Sequence, residues 1–289
     1  MKTINIFKSS ETFFNDEITD NTEEYLYQKT TYDDKSNVIE EITYDEDGEI
    51  VAQLNNAYDE QNKLIKSKKV ENGEITDNVE YLYDNELLIK EKHFYDGGFE
   101  DTLVYSYDNK GNKAIQESYD ADDELSEKLI FSYDDDNCLS EIDSEDEDGT
   151  KIISQQFEYD DNKNKIKSIY FTLDEKKLIT EYRYSDDLLA KVVAYNEFDD
   201  ISEIEEYYYD DQNRIIKNIH RDHDSIITYL FNFNENNQID KYQIINREGI
   251  TLQDTTRVYV NGQLISSTDI IFSPVHNRKD VVKTRYEEQ

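Results

Sequence analysis

The chain places an aromatic residue, usually a tyrosine followed by aspartate, about every 25 residues along most of its length. The repeated aromatics are Tyr32, Tyr58, Tyr83, Tyr107, Tyr133, Tyr159, Tyr184, Tyr209, Phe233 and Tyr259. A fixed period of this size is the signature of a repeat architecture, in which one small structural unit stacks on the next. Repeat folds usually present extended surfaces, so the period bears on function as well as on fold.

Each unit contains a second polar turn about halfway along, as in YDEDGEI at 44–50. The segments that enter the turns alternate aromatic and polar residues, as Tyr105 and Tyr107 or Phe157 and Tyr159 do. Alternation with a period of two is typical of half-buried strands, and no window has the helical period. We therefore predict an all-β fold, an antiparallel β-hairpin repeat meander of about 20 strands. A sheet this wide should curl into a coiled or shell-like form with its Tyr and Ile face inward.

The two ends of the chain depart from this pattern. Residues 1–31 lack clear Tyr-Asp phasing and are predicted to be an N-terminal cap or the first strands, whereas 32–272 form the repeat array. Residues 273–289 contain the single proline, Pro274, and a relatively basic run, and they are predicted to be a C-terminal cap or tail. Atypical terminal repeats usually cover the exposed hydrophobic edge of an array.

The formal net charge is −37, from 68 acidic and 31 basic side chains, and it favours a partner of opposite charge. Nucleic acid is disfavoured because phosphate binding depends on Lys and Arg, and a basic protein is favoured. The 24 tyrosines and 12 phenylalanines argue against disorder. No apolar stretch reaches the length of a membrane helix, and the first residues lack a signal-peptide pattern. We expect a cytoplasmic protein with no membrane partner.

A longer pattern, Tyr-x-Tyr-Asp-x-x-Asn/Gly-x-Leu/Ile, recurs in the array. It stands as EYLYDNELLI at 80–89, VYSYDNKGNKAI at 104–115, FEYDDNKNKI at 157–166 and YYYDDQNRII at 207–216. Over roughly residues 30–265 the chain resembles the YD repeats of the rearrangement-hotspot (Rhs) family. The resemblance implies a continuous β-sheet that spirals into a hollow shell, often around a toxin. The chain departs from the family in lacking its proteolytic core motif and toxin domain, and in being more acidic and poorer in glycine.

The sequence offers no catalytic constellation. The cluster from His220 to Asp224 contains two histidines, but it lacks the helical context of a zinc motif and is predicted to be a solvated turn. The acidic runs at 45–48 and 143–149 fail the spacing of an EF-hand calcium loop, although weak cation binding by clustered carboxylates stays open. The lone cysteine, Cys138, has no activating neighbour. We expect no enzyme activity, no catalytic residue, no cofactor and no metal site.

These observations favour a non-enzymatic, acidic protein-binding repeat protein. The most specific version of this hypothesis is an immunity or antitoxin-type inhibitor that neutralises a basic protein toxin, including an effector of an interbacterial secretion system. The alternative is a structural or encapsulating Rhs-like shell or assembly component. The candidate partner-binding residues are acids in turns on one edge of the sheet: Asp134, Asp135, Asp136, Asp160, Asp161, Asp210 and Asp211. The competing interpretation is that these acids only keep the protein soluble.

Overall fold

The computed structural model describes residues 1–95, 98, 100–145, 149–172 and 177–289. These residues contain 22 β-strands and one short 3₁₀ turn, Pro274–His276. The strands are β1 (Lys2–Phe14), β2 (Glu17–Tyr32), β3 (Val38–Tyr44), β4 (Ile50–Tyr58), β5 (Leu64–Glu71), β6 (Glu74–Asp84), β7 (Leu87–Phe94), β8 (Glu100–Tyr107), β9 (Lys113–Tyr119), β10 (Leu125–Tyr133), β11 (Leu139–Glu145), β12 (Lys151–Tyr159), β13 (Lys165–Phe171), β14 (Lys177–Ser185), β15 (Leu188–Tyr195), β16 (Ile201–Tyr209), β17 (Ile215–Asp222), β18 (Ile226–Phe233), β19 (Ile239–Ile245), β20 (Thr251–Val260), β21 (Gln263–Ser273) and β22 (Arg278–Glu288). Within the described part of the chain, no helix is long and apolar enough to cross a bilayer.

The prediction of an all-β antiparallel meander is confirmed. The chain divides into two compact units, one formed by 1–51, 183–193 and 201–289, and the other by 52–182 and 194–200. In the second unit, β4 to β14 pair in chain order, each antiparallel to the next. In the first unit, β16 to β22 pair in the same way, and β1, β2 and β3 follow.

The prediction of a coiled or shell-like sheet is corrected at the terminal strands, which pair with each other. β1 pairs with β22 along eleven aligned positions, from Ile4 opposite Glu288 to Phe14 opposite Arg278. The backbones of Thr3 and Gln289 exchange two further hydrogen bonds of 3.1 and 2.8 Å. The predicted C-terminal cap or tail therefore contains a full strand, and both terminal strands are paired on two sides. Pairing satisfies the N–H and C=O groups that a free edge would leave for another chain.

Few side chains in the described residues are fully buried. The buried hydrophobic residues are Val79, Val193 and Ile219. The buried polar residues are Asn5, Thr30, Ser67, Thr102, Thr255, Ser267 and Thr284. Most of the repeated aromatics are half-buried. Stability must therefore depend strongly on the hydrogen-bonded ladders and on the way that each turn is held.

The aspartate of the Tyr-Asp pair organises its own turn. In the turn after β8, the Asp108 Oδ1 atom accepts backbone N–H bonds from Lys110 and Asn112, both at 2.8 Å. The Asp108 N–H donates to the Asn112 carbonyl at 2.8 Å, and Gly111 adopts the left-handed conformation with a φ of 87°. This is a type I turn followed by a left-handed residue, which fixes the hairpin twist and register.

Six of the repeated tyrosines each fasten the end of a strand to the preceding strand. The Tyr133 hydroxyl donates to the Lys113 carbonyl on the neighbouring strand β9 at 2.9 Å. Equivalent bonds of 2.6 to 3.0 Å join Tyr83 to Leu64, Tyr107 to Leu88, Tyr159 to Leu139, Tyr209 to Leu189 and Tyr259 to Ile239. Each acceptor lies near the start of its strand, so the bond closes the end of the ladder. Packing and turn formation thus account for the recurrence of the Tyr-Asp motif.

The Tyr133 bond should contribute measurably to stability. Tyr133→Phe removes the hydroxyl donor to the Lys113 carbonyl, and we expect the free energy of unfolding to fall by about 1 kcal/mol. The matched control is Tyr170→Phe, because Tyr170 is 48% exposed; its effect should stay within about 0.5 kcal/mol. Urea unfolding followed by circular dichroism measures both. Equal losses for the two variants would contradict the assigned role of the hydroxyl.

The same tyrosines predict a loss of stability at alkaline pH. Burial raises the pKa of Tyr107, Tyr133, Tyr159 and Tyr209 above the usual tyrosine value. A raised folded-state pKa contributes stability that is present below about pH 10 and is lost as the pH rises through the folded-state value. Tyrosinate absorbance should therefore develop at higher pH in the folded protein than in urea. Coincident titration curves would show that these hydroxyls are not protected by the fold.

Candidate functional site

The first aspartate of each predicted partner-binding turn is engaged by that turn. The Asp134 carboxylate accepts the Cys138 N–H at 2.8 Å. Asp160 accepts N–H bonds from Asn162 at 3.0 Å and Asn164 at 2.8 Å. Asp210 accepts N–H bonds from the second and fourth residues after it in the same way. These carboxylates are therefore hydrogen-bonded to the backbone of their own hairpins.

Hydrogen bonding also keeps Asp160 and Asp210 ionised. The pKa of Asp160 is lowered, mainly by the Asn164 backbone N–H and also by the Asn164 side chain. The pKa of Asp210 is lowered chiefly by the Arg214 side chain, whose Nε lies 2.7 Å from Oδ2. The turns therefore hold permanent negative charges at ordinary pH.

The second acids of these turns face solvent. Asp135, Asp136, Asp161 and Asp211 are all exposed. Asp136 meets Lys163 of the next turn on the same edge, with Nζ 3.5 Å from its carboxylate and 2.8 Å from its carbonyl. This contact places the turns at 134–138 and 160–164 side by side. The structure thus divides the seven predicted acids into three turn-forming residues and four exposed ones.

Those two turns belong to a longer row in the second unit. The Asn112 and Asn137 side chains exchange hydrogen bonds of 2.9 and 3.2 Å, which join the turn at 108–112 to that at 134–138. Three consecutive turns on this edge are therefore in contact. The exposed acids Asp135, Asp136 and Asp161 lie in two of these turns, where Lys163 pairs with Asp136. We name these three acids the acidic turn row.

The acidic turn at 45–48 has the same internal structure. The Asp45 carboxylate accepts the N–H groups of Asp47 at 3.1 Å and Glu49 at 2.8 Å, and Gly48 has a φ of 82°. Its hydrogen bonds are directed at the backbone of the turn. In the run at 143–149, residues 146–148 lie outside the described residues.

A second group of side chains was not identified from the sequence. His220 lies in β17, not in a turn, and stands directly opposite Glu205 of β16, while Asp222 stands opposite Glu203. The His220 Nδ1 atom is 3.1 Å from the Glu203 Oε1 atom and 3.6 Å from the Glu205 Oε1 atom. The His220 Nε2 atom is 3.5 Å from Asp222 Oδ2. His223, which is close to His220 in sequence, is exposed beyond the end of the strand.

A cavity of about 350 Å³ adjoins this group. Its lining consists of Glu205, Tyr207, Ile215, Asn218, His220, Tyr229 and Phe231. The Tyr207 hydroxyl donates to Glu205 Oε2. The pKa of Tyr207 is raised by burial first and by this hydrogen bond second. The site therefore combines an imidazole, several carboxylates and an aromatic wall.

The contrast between first and second aspartates can be tested at one turn. Asp160→Ala removes the acceptor of two backbone N–H groups, so we expect it to lower the urea midpoint of unfolding. Asp161→Ala changes an exposed side chain of the same type and the same charge, so the midpoint should stay close to that of the original protein. If Asp161→Ala destabilised the protein as much as Asp160→Ala, the division between turn-forming and exposed acids would be wrong.

Comparison with known proteins gives distant structural matches only. No protein-family model and no curated protein matches the chain. The Photorhabdus luminescens Tc holotoxin pore and the TcdB2-TccC3 structure each share 10% identity over 92% of this chain, with TM-scores of 0.36 and 0.37. The chain spans 18% of the length of those two chains. A porin-like protein from Bacteroides uniformis shares 10% identity over 99% of this chain and 96% of its own, with a TM-score of 0.24.

Proposed function

We propose that this chain is a non-enzymatic, acidic protein-binding protein that neutralises a basic protein toxin, as an immunity protein or antitoxin does. Its repeats would be of the Rhs-like YD type, and its partners would include effectors of an interbacterial secretion system. The observation that carries the proposal is the acidic turn row, in which exposed carboxylates project from turns whose first aspartates are already engaged.

The charge of the protein favours a cationic partner. A net charge of −37 on 289 residues leaves the negative surface largely uncompensated. Complementary charge raises the association rate between proteins and disfavours like-charged competitors. A toxin that acts on nucleic acid carries the opposite charge on its binding surface, because it must neutralise phosphates. Such a surface is the kind that the acidic turn row would cover.

The turns that carry the exposed acids are firmly held. In the turn at 160–164, Asp160 fixes two backbone N–H groups, and Tyr159 ties the end of β12 to the Leu139 carbonyl at 2.8 Å. Lys163 links this turn to the previous one. Charges displayed on a preorganised backbone lose less conformational entropy on binding than charges on a mobile loop. The geometry therefore suits a tight binder as well as a fast one.

The terminal strands favour this function over the alternative of a shell or assembly component. Assembly by strand addition needs an unpaired sheet edge to accept a strand from another chain. Here β1 and β22 pair with each other, so each already has strands on both sides. A strand from a second molecule that added at either terminal strand would have to displace that pairing. Binding through the turns needs no such displacement.

Co-expression with the product of the adjacent gene tests the proposal. If that product is a toxin, we expect the two proteins to co-purify at about 0.15 M salt, and we expect this chain to restore growth to cells that make the toxin. The complex should weaken steeply as salt is raised, since exposed charges are screened. Growth arrest that persists despite soluble expression of both proteins, with no complex detected, would contradict the proposed function.

Charge removal in the acidic turn row locates the contact. The triple variant Asp135→Asn, Asp136→Asn and Asp161→Asn should weaken binding by about tenfold, because three exposed charge contacts at roughly 0.5 kcal/mol each sum to that factor. The control variant, Asp122→Asn with Asp123→Asn and Glu124→Gln, removes the same charge from the exposed turn at the other end of β10. Equal weakening by both variants, measured by surface plasmon resonance, would rule out a contact at this row.

A further inference from the structure

We propose that Glu203, Glu205 and His220 form a binding site for one divalent transition-metal ion of the zinc type. Their ligating atoms lie within 4.8 Å of one another, and no other group of this kind occurs within the residues that the structure describes. The site is separate from the acidic turn row and does not depend on the proposed toxin partner.

The sheet register places the ligands on one face. Glu203 and Glu205 are two residues apart on β16, so their side chains project to the same side of the sheet. His220 pairs with Glu205 across the ladder to β17. The ladder continues without interruption from Glu203 to Tyr208 of β16. Ligands on rigid neighbouring strands hold their spacing better than ligands on a loop.

The two distances from His220 are close to those between ligands of a tetrahedral metal ion. Zinc lies about 2.0 to 2.2 Å from nitrogen and carboxylate oxygen ligands, so two ligands at the tetrahedral angle are roughly 3.3 to 3.6 Å apart. The Nδ1 atom of His220 is 3.1 Å from one glutamate oxygen and 3.6 Å from the other. Small rotations of the two glutamates would bring all three atoms to bonding distance around a common centre.

The charges favour a cation at this centre. Two carboxylates converge on a single imidazole nitrogen, Nδ1 of His220, which carries one hydrogen at most. A divalent ion would satisfy both oxygens and the nitrogen lone pair together. A histidine among the ligands favours zinc-type ions over calcium and magnesium, which prefer oxygen ligands alone.

Polar groups behind the three ligands hold them in position. Asp222 lies 3.5 Å from Nε2 of His220, the ring nitrogen that would not face the metal. Tyr207 donates its hydroxyl to the second oxygen of Glu205. Carboxylates behind ligating histidines and donors to ligating carboxylates orient the ligands and tune the ion. The adjoining cavity of about 350 Å³ leaves room for a water molecule or a small ligand at a fourth position.

Metal titration of the full chain tests this site. Isothermal titration with zinc chloride, in excess magnesium to occupy weak carboxylate sites, should show one tight equivalent per chain. Cobalt(II) bound at the same site should give the intense visible bands of four-coordinate cobalt. His220→Ala and Glu203→Gln should each weaken zinc binding by about tenfold or more. Circular dichroism of each variant verifies that the sheet is intact.

His223→Ala is the matched control, because His223 is exposed beyond the end of β17 and takes no part in the proposed site. It should leave the affinity for zinc and the cobalt spectrum unchanged. Zinc binding by His220→Ala as tight as that of the original protein would overturn the proposal. Loss of zinc binding in His223→Ala to the same degree would also overturn it, since the ion would then belong to the turn.

Discussion

Hydrogen bonds from backbone N–H groups to the first Asp or Asn side chain of a turn set the geometry of hairpin after hairpin. The bond from the N–H group four residues along the chain recurs at Asp33, Asp45, Asp59, Asp108, Asp120, Asp134, Asp160, Asn196, Asp210, Asn234 and Asn246. In each case the residue three positions along is left-handed. Turns of one kind impose one kind of register, so the strand pairing at these hairpins follows from local chemistry.

This constraint separates turn-forming acids from exposed ones. A carboxylate that accepts N–H bonds from the second and fourth residues after it, as Asp160 does from Asn162 and Asn164, has one of its two oxygens engaged by the backbone. The next acid, Asp161, lies outside this pattern and is exposed. A highly acidic composition therefore overstates the number of carboxylates that are free to contact a partner directly. In the acidic turn row, the free charge is displayed on a backbone that is already fixed.

The sequence predicted features that depend on local pattern and missed those that depend on distant pairing. The alternating aromatic residues and the Asp-rich turns were enough to predict the antiparallel meander. Pairing of β1 with β22 joins the two ends of the chain, and no local signal marks it. The neighbours of His220 also depend on pairing between strands. Its proximity to His223 in sequence suggested a turn cluster, but strand register brings it to Glu205 on the preceding strand.

The hydrogen bonds from tyrosines show how the glutamates around His220 differ from another glutamate of the sheet, Glu91. Glu91 accepts the Tyr105 hydroxyl at 2.8 Å, so a neutral donor lies beside that carboxylate. Glu205 has such a donor in Tyr207, but Glu203 and Asp222 crowd the same histidine. Three carboxylates around one imidazole repel one another, and a divalent cation among them would relieve that repulsion. This group lies within paired strands, whereas the exposed acids lie in turns.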